Sequence, residues 1–289
     1  MGKFSKALEK STHPAAPQAS KVHPVSGPRS ESKTSGSEEV SPSLSLDTGL
    51  ARERWDRRLQ LSTGPNSLFF ESFRRLRASI LFPSSGPRPK TLLVTSTVPH
   101  EGKGFVCANL GVALSRGMEN YAMMVDCDLR HPTLAGLFGI SSPTGLSDYL
   151  QDEKADVSLL LRKTGQPKLS LFPSGVPPRN PSELLESSRM TDLIHEMADR
   201  YQDRVILFDS PPGVIASETS TLAQHVDAVI LVVRYGASKK EDVKRFVETL
   251  GREKIHDVVF NAYPENAVES FLEKKMGYNY GYYHYGAGK

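Results

Sequence analysis

The sequence lacks several features that would assign it to particular classes of protein. It holds only two cysteines in 289 residues, Cys107 and Cys127, and both fall inside predicted core elements. No disulfide is therefore expected, and we predict two buried free thiols. The formal net charge of +3 is too small to indicate a nucleic-acid partner. There is no run of about 18 apolar residues and no apolar signal-peptide core near the N-terminus, which predicts a cytosolic protein without a membrane span.

Aromatic residues are absent from residues 11–50, where Ser, Pro, Lys and Glu are abundant. Such a segment cannot bury enough apolar surface to offset the entropy lost on ordering. We predict a disordered arm and linker over 1–65, a folded domain over 66–275 and a flexible tail over 276–289. The arm is interpreted as a tether or as a docking segment for a partner, and Ala51–Gln60 within it has the charged composition of a possible helix.

Apolar runs and helical patterns alternate from Thr91 onward. The predicted strands are Thr91–Ser96, Tyr121–Asp126, Leu169–Pro173, Arg204–Asp209, Ala228–Val233 and Asp257–Asn261. The predicted helices are Gly104–Arg116, Gly145–Gln151, Pro181–Tyr201, Glu218–His225 and Lys239–Glu253. Because near-continuous apolar strands belong in a sheet covered on both faces, the pattern predicts an α/β fold, a doubly wound and mostly parallel sheet.

The stretch Thr91–Gly117 predicts a phosphate-binding loop. A strand is followed by a polar turn, by Glu101, Gly102 and Lys103, and then by a helix. Backbone amides and the helix N-terminus would face an anion, and the lysine would neutralise terminal phosphates. Gly104 departs from the usual pattern, which has a Ser or Thr there to hold Mg²⁺.

Acidic residues end two of the predicted strands. Asp126 and Asp128 follow one apolar run, and Asp209 ends another. Ligands of parallel sheets bind beyond the carboxyl ends of the strands, so these carboxylates are expected near Lys103. Lysine, metal and a carboxylate that orients an acceptor hydroxyl are the layout that phosphoryl transfer requires. The spacing therefore predicts nucleotide binding.

Two further patterns allow more than one interpretation. The helical segment Ser67–Phe82 places Phe69, Phe73, Leu76 and Ile80 on one stripe, predicted to be buried. On the neighbouring face, Glu71, Arg74 and Arg77 form either a solvated surface or an interface. The glycine-rich tail holds five tyrosines that are either low-complexity sequence or accessible phenols: Tyr278, Tyr280, Tyr282, Tyr283 and Tyr285.

Taken together, these motifs resemble a known family. Matching segments are STVPHEGKG, MMVDCDLRHP and ILFDSPP for the nucleotide site, LFPSGVPPRNPSELLES between the last two, the E-x-x-R-x-x-R pattern of the helix, and the tyrosine tail. Over about Ser67–Lys289 the chain resembles the bacterial tyrosine autokinases of exopolysaccharide and capsule synthesis, a branch of the P-loop ATPases.

The resemblance implies roles for individual residues. Lys103 would bind the β- and γ-phosphates of ATP, and Asp126 would activate the incoming tyrosine hydroxyl at the metal. Asp126, Asp128 and Asp209 would hold Mg²⁺, with assistance from Arg130. The ATP site would comprise Pro99, His100, Glu101, Gly102, Lys103, Gly104 and Phe105, with Asn261 beside the adenine.

The resemblance also implies partners. The tail of one subunit would enter the site of its neighbour in a ring-shaped homo-oligomer held by Glu71, Arg74 and Arg77. A membrane-embedded chain-length regulator of polysaccharide synthesis would recruit and activate the protein. This predicts a cytoplasmic protein held at the inner face of the membrane through that partner.

Two positions depart from the family pattern. His100 replaces a usual glycine, and Gly104 removes a Mg²⁺ ligand that water would have to replace, which predicts weaker Mg·ATP binding or a misplaced γ-phosphate. Three hypotheses follow: a tyrosine autokinase, active or impaired; a non-catalytic nucleotide-dependent scaffold of polysaccharide export; and a partition-type ATPase. The third predicts a second lysine early in the loop, where Val98, Pro99 and His100 supply none.

Overall fold

A seven-stranded sheet organises the chain. The computed structural model describes residues 52–64 and 67–262; the tail tyrosines and most of the predicted arm lie outside these ranges. The strands are β1 (Thr91–Ser96), β2 (Tyr121–Asp126), β3 (Arg162–Lys163), β4 (Leu169–Phe172), β5 (Arg204–Asp209), β6 (Ala228–Arg234) and β7 (Ile255–Asn261). Their order is β3-β4-β2-β5-β1-β6-β7, and all neighbours are parallel except the short β3, which pairs antiparallel with β4. The predicted α/β fold with a mostly parallel sheet is confirmed.

Helices cover both faces of this sheet. They are α1 (Arg57–Ser62), α2 (Leu68–Leu81), α3 (Lys103–Ser115), α4 (Leu134–Leu137), α5 (Leu146–Gln151), α6 (Val157–Leu160), α7 (Pro181–Leu185), α8 (Ser188–Arg200), α9 (Ser217–His225) and α10 (Lys240–Leu250). Successive residues of one strand enter opposite layers: Leu92 packs in the layer of α1–α3, and Leu93 packs in the layer of α5, α8 and α9. Burial on both sides explains the near-continuous apolar runs of the interior strands β2, β5 and β6.

The single helix predicted over Pro181–Tyr201 is wrong, because two helices lie there. α7 ends at Leu185, and Ser187 then acts as the N-cap of α8, its hydroxyl accepting a hydrogen bond from the amide of Met190 at 3.3 Å. An N-cap residue has non-helical backbone angles, so the chain must leave the helical conformation there. The apolar periodicity continues across the break, which is why the sequence pattern did not reveal it.

The folded domain extends beyond the predicted boundary at residue 66. Trp55 and Leu59 are buried in the layer of α2 and α3. The Trp55 indole donates a hydrogen bond to the Thr164 carbonyl at 2.8 Å, and its ring packs edge-on against Phe138. The predicted linker over 1–65 is therefore corrected for residues 52–64. Two buried apolar residues and hydrogen bonds to the domain dock this segment, although its charged composition is that of a solvated one.

Helix α2 buries a slightly different stripe from the one predicted. Phe73 and Ile80 are buried as expected, but Phe69 is 46% exposed and Phe70, at 2% exposure, takes its place in the core. Both residues fit a helical repeat with Phe73, so the helical period alone could not show which of the two is buried.

In the parts of the chain that the structure describes, none of the helices has the length and apolar character needed to cross a membrane.

Candidate active site

The predicted phosphate-binding loop connects the interior strand β1 to helix α3. Gly102 is the N-cap of α3, with a left-handed φ of 89° and no side chain to satisfy the first amides of the helix. The N-terminal amides of this 13-residue helix therefore remain available to an anion at the carboxyl edge of the sheet. This geometry fits a nucleotide phosphate.

Strand β7 contacts the loop through the side chain of its last residue, Asn261. The Asn261 side chain donates a hydrogen bond to the Glu101 carbonyl at 2.8 Å, and a Cβ on Gly102 would collide with its amide nitrogen. The left-handed φ of 89°, together with this contact, favours glycine at position 102. The place of Asn261 beside adenine stays a prediction, since the contact described here is with the loop. His100 has a φ of 62°, in the left-handed region, which explains why glycine is the usual residue there.

The Glu101 side chain is a functional feature that the sequence did not reveal. The residue is fully buried, and its carboxylate accepts hydrogen bonds from the amide of Val98 at 3.0 Å, the amide of Arg234 at 3.0 Å and the hydroxyl of Ser238 at 2.8 Å. These bonds join both sides of the loop to the end of β6. The sequence did contain a signal for this role, an acidic residue inside a loop that is predicted to bind anions. A solvated carboxylate at that position would repel the ligand, which indicates that the side chain is bonded elsewhere.

Replacing Glu101 by Ala should weaken both the fold and the binding of nucleotide. The change leaves two part-buried amides without their acceptor, which costs about 1–3 kcal/mol of unfolding free energy in urea denaturation. ADP affinity should fall because the loop is no longer held in one geometry. Glu153→Ala, at an exposed glutamate outside the site, is the matched control and should change neither quantity. Equal effects of the two substitutions would contradict a bracing role for Glu101.

Asp126 and Asp209 lie side by side at the ends of β2 and β5, where they are partners in the strand register. Both are fully buried. One oxygen of Asp126, Oδ2, accepts hydrogen bonds from the amides of Thr133 at 3.2 Å and Leu134 at 3.0 Å. Its other oxygen and both oxygens of Asp209 have no hydrogen-bond partner among the described residues. Buried carboxylate oxygens without partners are costly, and their position beside the loop fits a hard cation such as Mg²⁺.

Lys103 and Asp128 form a buried ion pair at the same edge, with 2.7 Å between Nζ and Oδ2 and side-chain exposures of 12% and 3%. Asp128 also accepts a hydrogen bond from the His131 amide. The Arg130 side chain binds Ser182 and the buried Glu218, so it connects its loop to α7 and α9.

Across the described residues, no group of three or more His, Cys, Asp and Glu side chains is arranged to hold a metal ion. A bound cation would therefore need oxygens from a ligand or water as well.

Burial shifts the acid–base equilibria of the site. Desolvation raises the pKa of Asp126, the hydrogen bond from Leu134 opposes it, and the nearby charge of Asp128 adds to it, so that the pKa reaches about 7. Burial also raises the pKa of Asp209 well above its usual value, an effect that Lys103 partly offsets. Burial lowers the pKa of Lys103, but the negative charges of Asp209 and Asp128 outweigh this effect and the net shift of the pKa is upward.

The two free thiols, Cys107 and Cys127, are buried as predicted, and burial raises the pKa of both.

The predicted interface residues differ in their surroundings. Glu71 and Arg74 are half-exposed and paired with each other at 3.2 Å. Arg77 instead donates to the Ala113 carbonyl within the same chain at 3.1 Å. Glu71 and Arg74 are thus accessible, while Arg77 joins α2 to the end of α3. Their role between subunits stays a prediction, as does that of the five tail tyrosines outside the described residues.

The loop, its lysine and the parallel sheet with carboxylates at its edge define a P-loop nucleotide-binding domain. No family model matches the chain. The chain is 31% identical over 197 residues to tyrosine-protein kinase YwqD of Bacillus subtilis. The matched residues cover 68% of this chain and 81% of that protein. It therefore belongs to the bacterial tyrosine-protein kinase family, as the sequence motifs indicated.

Two further comparisons agree with this assignment. The chain is 30% identical over 224 residues to tyrosine-protein kinase wzc of Salmonella typhimurium, covering 76% of this chain. It spans only 30% of the length of that relative. The crystal structure of the chimerical protein CapA2B2 superposes with a TM-score of 0.64 at 29% identity, covering 72% of this chain and 90% of the other.

Proposed function

We propose that this protein is an ATP-dependent tyrosine autokinase that phosphorylates the tyrosines of its own C-terminal tail, in exopolysaccharide or capsule synthesis. The observation that carries the proposal is the juxtaposition of a phosphate-binding loop, a buried Lys103–Asp128 pair and two buried carboxylates at one sheet edge. Family membership supports the choice of a tyrosine hydroxyl as the acceptor, and the tail supplies five of them.

Each residue would contribute through its charge and its position. The amides at the start of α3 would bind phosphate oxygens, and Lys103 would offset the charge that develops on the transferred group. Asp126 lies at this edge with one buried oxygen that has no hydrogen-bond partner among the described residues, and a carboxylate there could accept the proton of the tyrosine hydroxyl. Burial of the site would exclude water that competes with tyrosine as the acceptor.

The same residues fit Mg²⁺, which would supply positive charge to the phosphates when bound. The unpartnered oxygens of Asp126 and Asp209 would hold it from the protein side, directly or through water. Asp128 would contribute less than predicted, because its Oδ2 is engaged by Lys103.

The proposal is tested by incubating the purified protein with Mg·ATP and mapping phosphotyrosine by mass spectrometry. We expect phosphate on the tail tyrosines of the wild type and none in Lys103→Met. Tyrosines that stay unmodified while ATP is bound would refute autokinase activity and favour the nucleotide-dependent scaffold. ATP hydrolysis without tyrosine modification would favour the partition-type ATPase.

A mixing experiment separates transfer between subunits from transfer within one. The donor carries Phe at all five tail tyrosines and keeps an intact site; the acceptor is Lys103→Met with an intact tail. Phosphotyrosine on the acceptor tail is expected if one subunit modifies another. An unmodified acceptor would contradict the proposed intermolecular transfer.

The proposal includes a ring-shaped homo-oligomer in contact through Glu71, Arg74 and Arg77, and a membrane-embedded polysaccharide regulator that holds the protein at the inner face of the membrane. The exposure of Glu71 and Arg74 supports the first part. A purified cytoplasmic segment of the regulator that changes neither ATP turnover nor binding would count against the second.

A further inference from the structure

We propose that the hydroxyl of Thr133 replaces the missing hydroxyl of the phosphate-binding loop and is a ligand of the Mg²⁺ that accompanies ATP. This inference rests on the proposed function and assigns a metal-binding role to a residue outside the nucleotide motifs. It also changes the expectation that water must fill the position left by Gly104.

The first argument is spatial. A Cβ added to Gly104 would lie within 3.0 Å of both the Thr133 Oγ1 and the Asp209 Oδ2, and within 3.3 Å of the Thr133 Cβ. The overlap with Oγ1 is too close for a real side chain. The Thr133 hydroxyl therefore occupies the volume that a Ser or Thr side chain at position 104 would fill, beside the same carboxylate.

The second argument is that this hydroxyl is free to bind a ligand. Thr133 is the N-cap of α4, a position where a threonine hydroxyl normally accepts a hydrogen bond from an amide of the first turn. Here it makes no such bond. The carboxylate of Asp126 accepts the amides of Thr133 and Leu134 instead. Asp126 thus fixes the backbone of Thr133 and releases its side chain.

The third argument is chemical. Mg²⁺ requires oxygen ligands in a strict octahedral arrangement and is usually held by one or two carboxylates, phosphates and water. A neutral hydroxyl close to the unpartnered Oδ2 of Asp209 adds an oxygen without adding negative charge. Thr133 is also exposed, so a ligand in the cleft can reach it.

Measuring the Mg²⁺ dependence of ADP binding tests the assignment without relying on kinase activity. The readout is the Mg²⁺ concentration that gives half of the full increase in ADP affinity, obtained by calorimetry. Thr133→Val and Thr133→Ala should raise this concentration on the order of tenfold, the loss typical of a disrupted metal site. Thr133→Ser keeps the hydroxyl and should retain Mg²⁺ binding, and Thr249→Val on the exposed face of α10 is the matched control.

A double substitution tests the replacement itself. Gly104→Ser alone should give no gain, because its Cβ competes with Thr133 for the same space. Gly104→Ser combined with Thr133→Ala should recover the Mg²⁺ response that Thr133→Ala loses. This recovery also distinguishes a lost ligand from a fold damaged at Thr133.

The outcomes separate this inference from the proposed function. A wild-type protein whose ADP binding does not respond to Mg²⁺ overturns both. A wild type that responds normally, with Thr133→Val and Thr133→Ala responding in the same way, overturns only the role of Thr133. ADP affinity in EDTA should be equal in the wild type and the Thr133 variants, since their difference is expected only when the cation is present.

Discussion

Asp126→Asn should make the folded protein more stable while removing the phosphotransfer activity proposed for it. The wild-type carboxylate is fully buried, with one oxygen unpartnered, and desolvation raises its pKa from 3.8 to about 7. Keeping it ionised above that pH costs up to about 4 kcal/mol, at about 1.4 kcal/mol per pKa unit. An amide carries no charge to desolvate, and its oxygen can still accept the amides of Thr133 and Leu134. The proposed tail phosphorylation should fall on the order of 10²–10⁴-fold, because the proposed proton acceptor is lost.

The pH dependence of this effect has a defined sign. The folded-state pKa of Asp126 is raised, so its contribution to stability is fully present below about pH 4 and is lost as the pH rises to about 7. The advantage of Asp126→Asn should therefore be greatest above pH 7 and should vanish towards pH 4. Urea unfolding without nucleotide or divalent cations measures it, with exposed Asp199→Asn on α8 as the control. A variant that is less stable than wild type above pH 7 would contradict the argument.

Lys103→Met should reduce stability and nucleotide affinity for two separable reasons. The substitution leaves Asp128 buried at 3% side-chain exposure without its cation, and breaking a buried ion pair in this way costs about 3–5 kcal/mol. It also removes the positive charge that would face the terminal phosphates. We expect a lower unfolding free energy in urea and a loss of ADP affinity on the order of 100-fold, from the loss of a charge-assisted contact of about 3 kcal/mol.

A second substitution distinguishes the two causes. Lys103→Met combined with Asp128→Asn should regain most of the stability, since no unpaired charge stays buried, but should not regain ADP affinity. The exposed pair of Lys244 and Glu248 on α10 provides the control, because Lys244→Met should cost less than about 1 kcal/mol. Recovery of ADP binding in the double variant would show that Lys103 acts on the fold alone.

The elements that followed from the sequence are those whose signal is local. Strands β1, β2 and β5 have the predicted bounds. Each strand is buried on both faces, and its apolar run ends at the polar residues that lie at the site. Lys103, Asp126 and Asp209 could be assigned to one edge for the same reason, since the carboxyl ends of parallel strands share it.

The features that were missed depend on contacts between distant segments. Trp55 belongs to a segment of charged composition, and its packing against Phe138 and its hydrogen bond to the Thr164 carbonyl show that the segment is part of the domain. Glu101 belongs to the predicted ATP site, but the sequence did not show that its side chain braces the loop through hydrogen bonds with the end of β6 and with Ser238. Hydrogen bonds of this kind leave no periodicity in the sequence, because their partners are far apart along the chain.

Gly104 shows most clearly which features of the site follow from the sequence and which follow only from the tertiary structure. The sequence by itself determined that this chain has an α/β fold with a phosphate-binding loop and that the loop lacks a hydroxyl, because hydrophobic period, strand ends and motif spacing are local properties. Only the tertiary structure placed Thr133 in the volume left by that glycine, since Asp126 at the end of β2 holds the start of α4 against the loop. A missing side chain is apparent within its own segment, but its replacement depends on the distance between two segments that meet only in the folded protein.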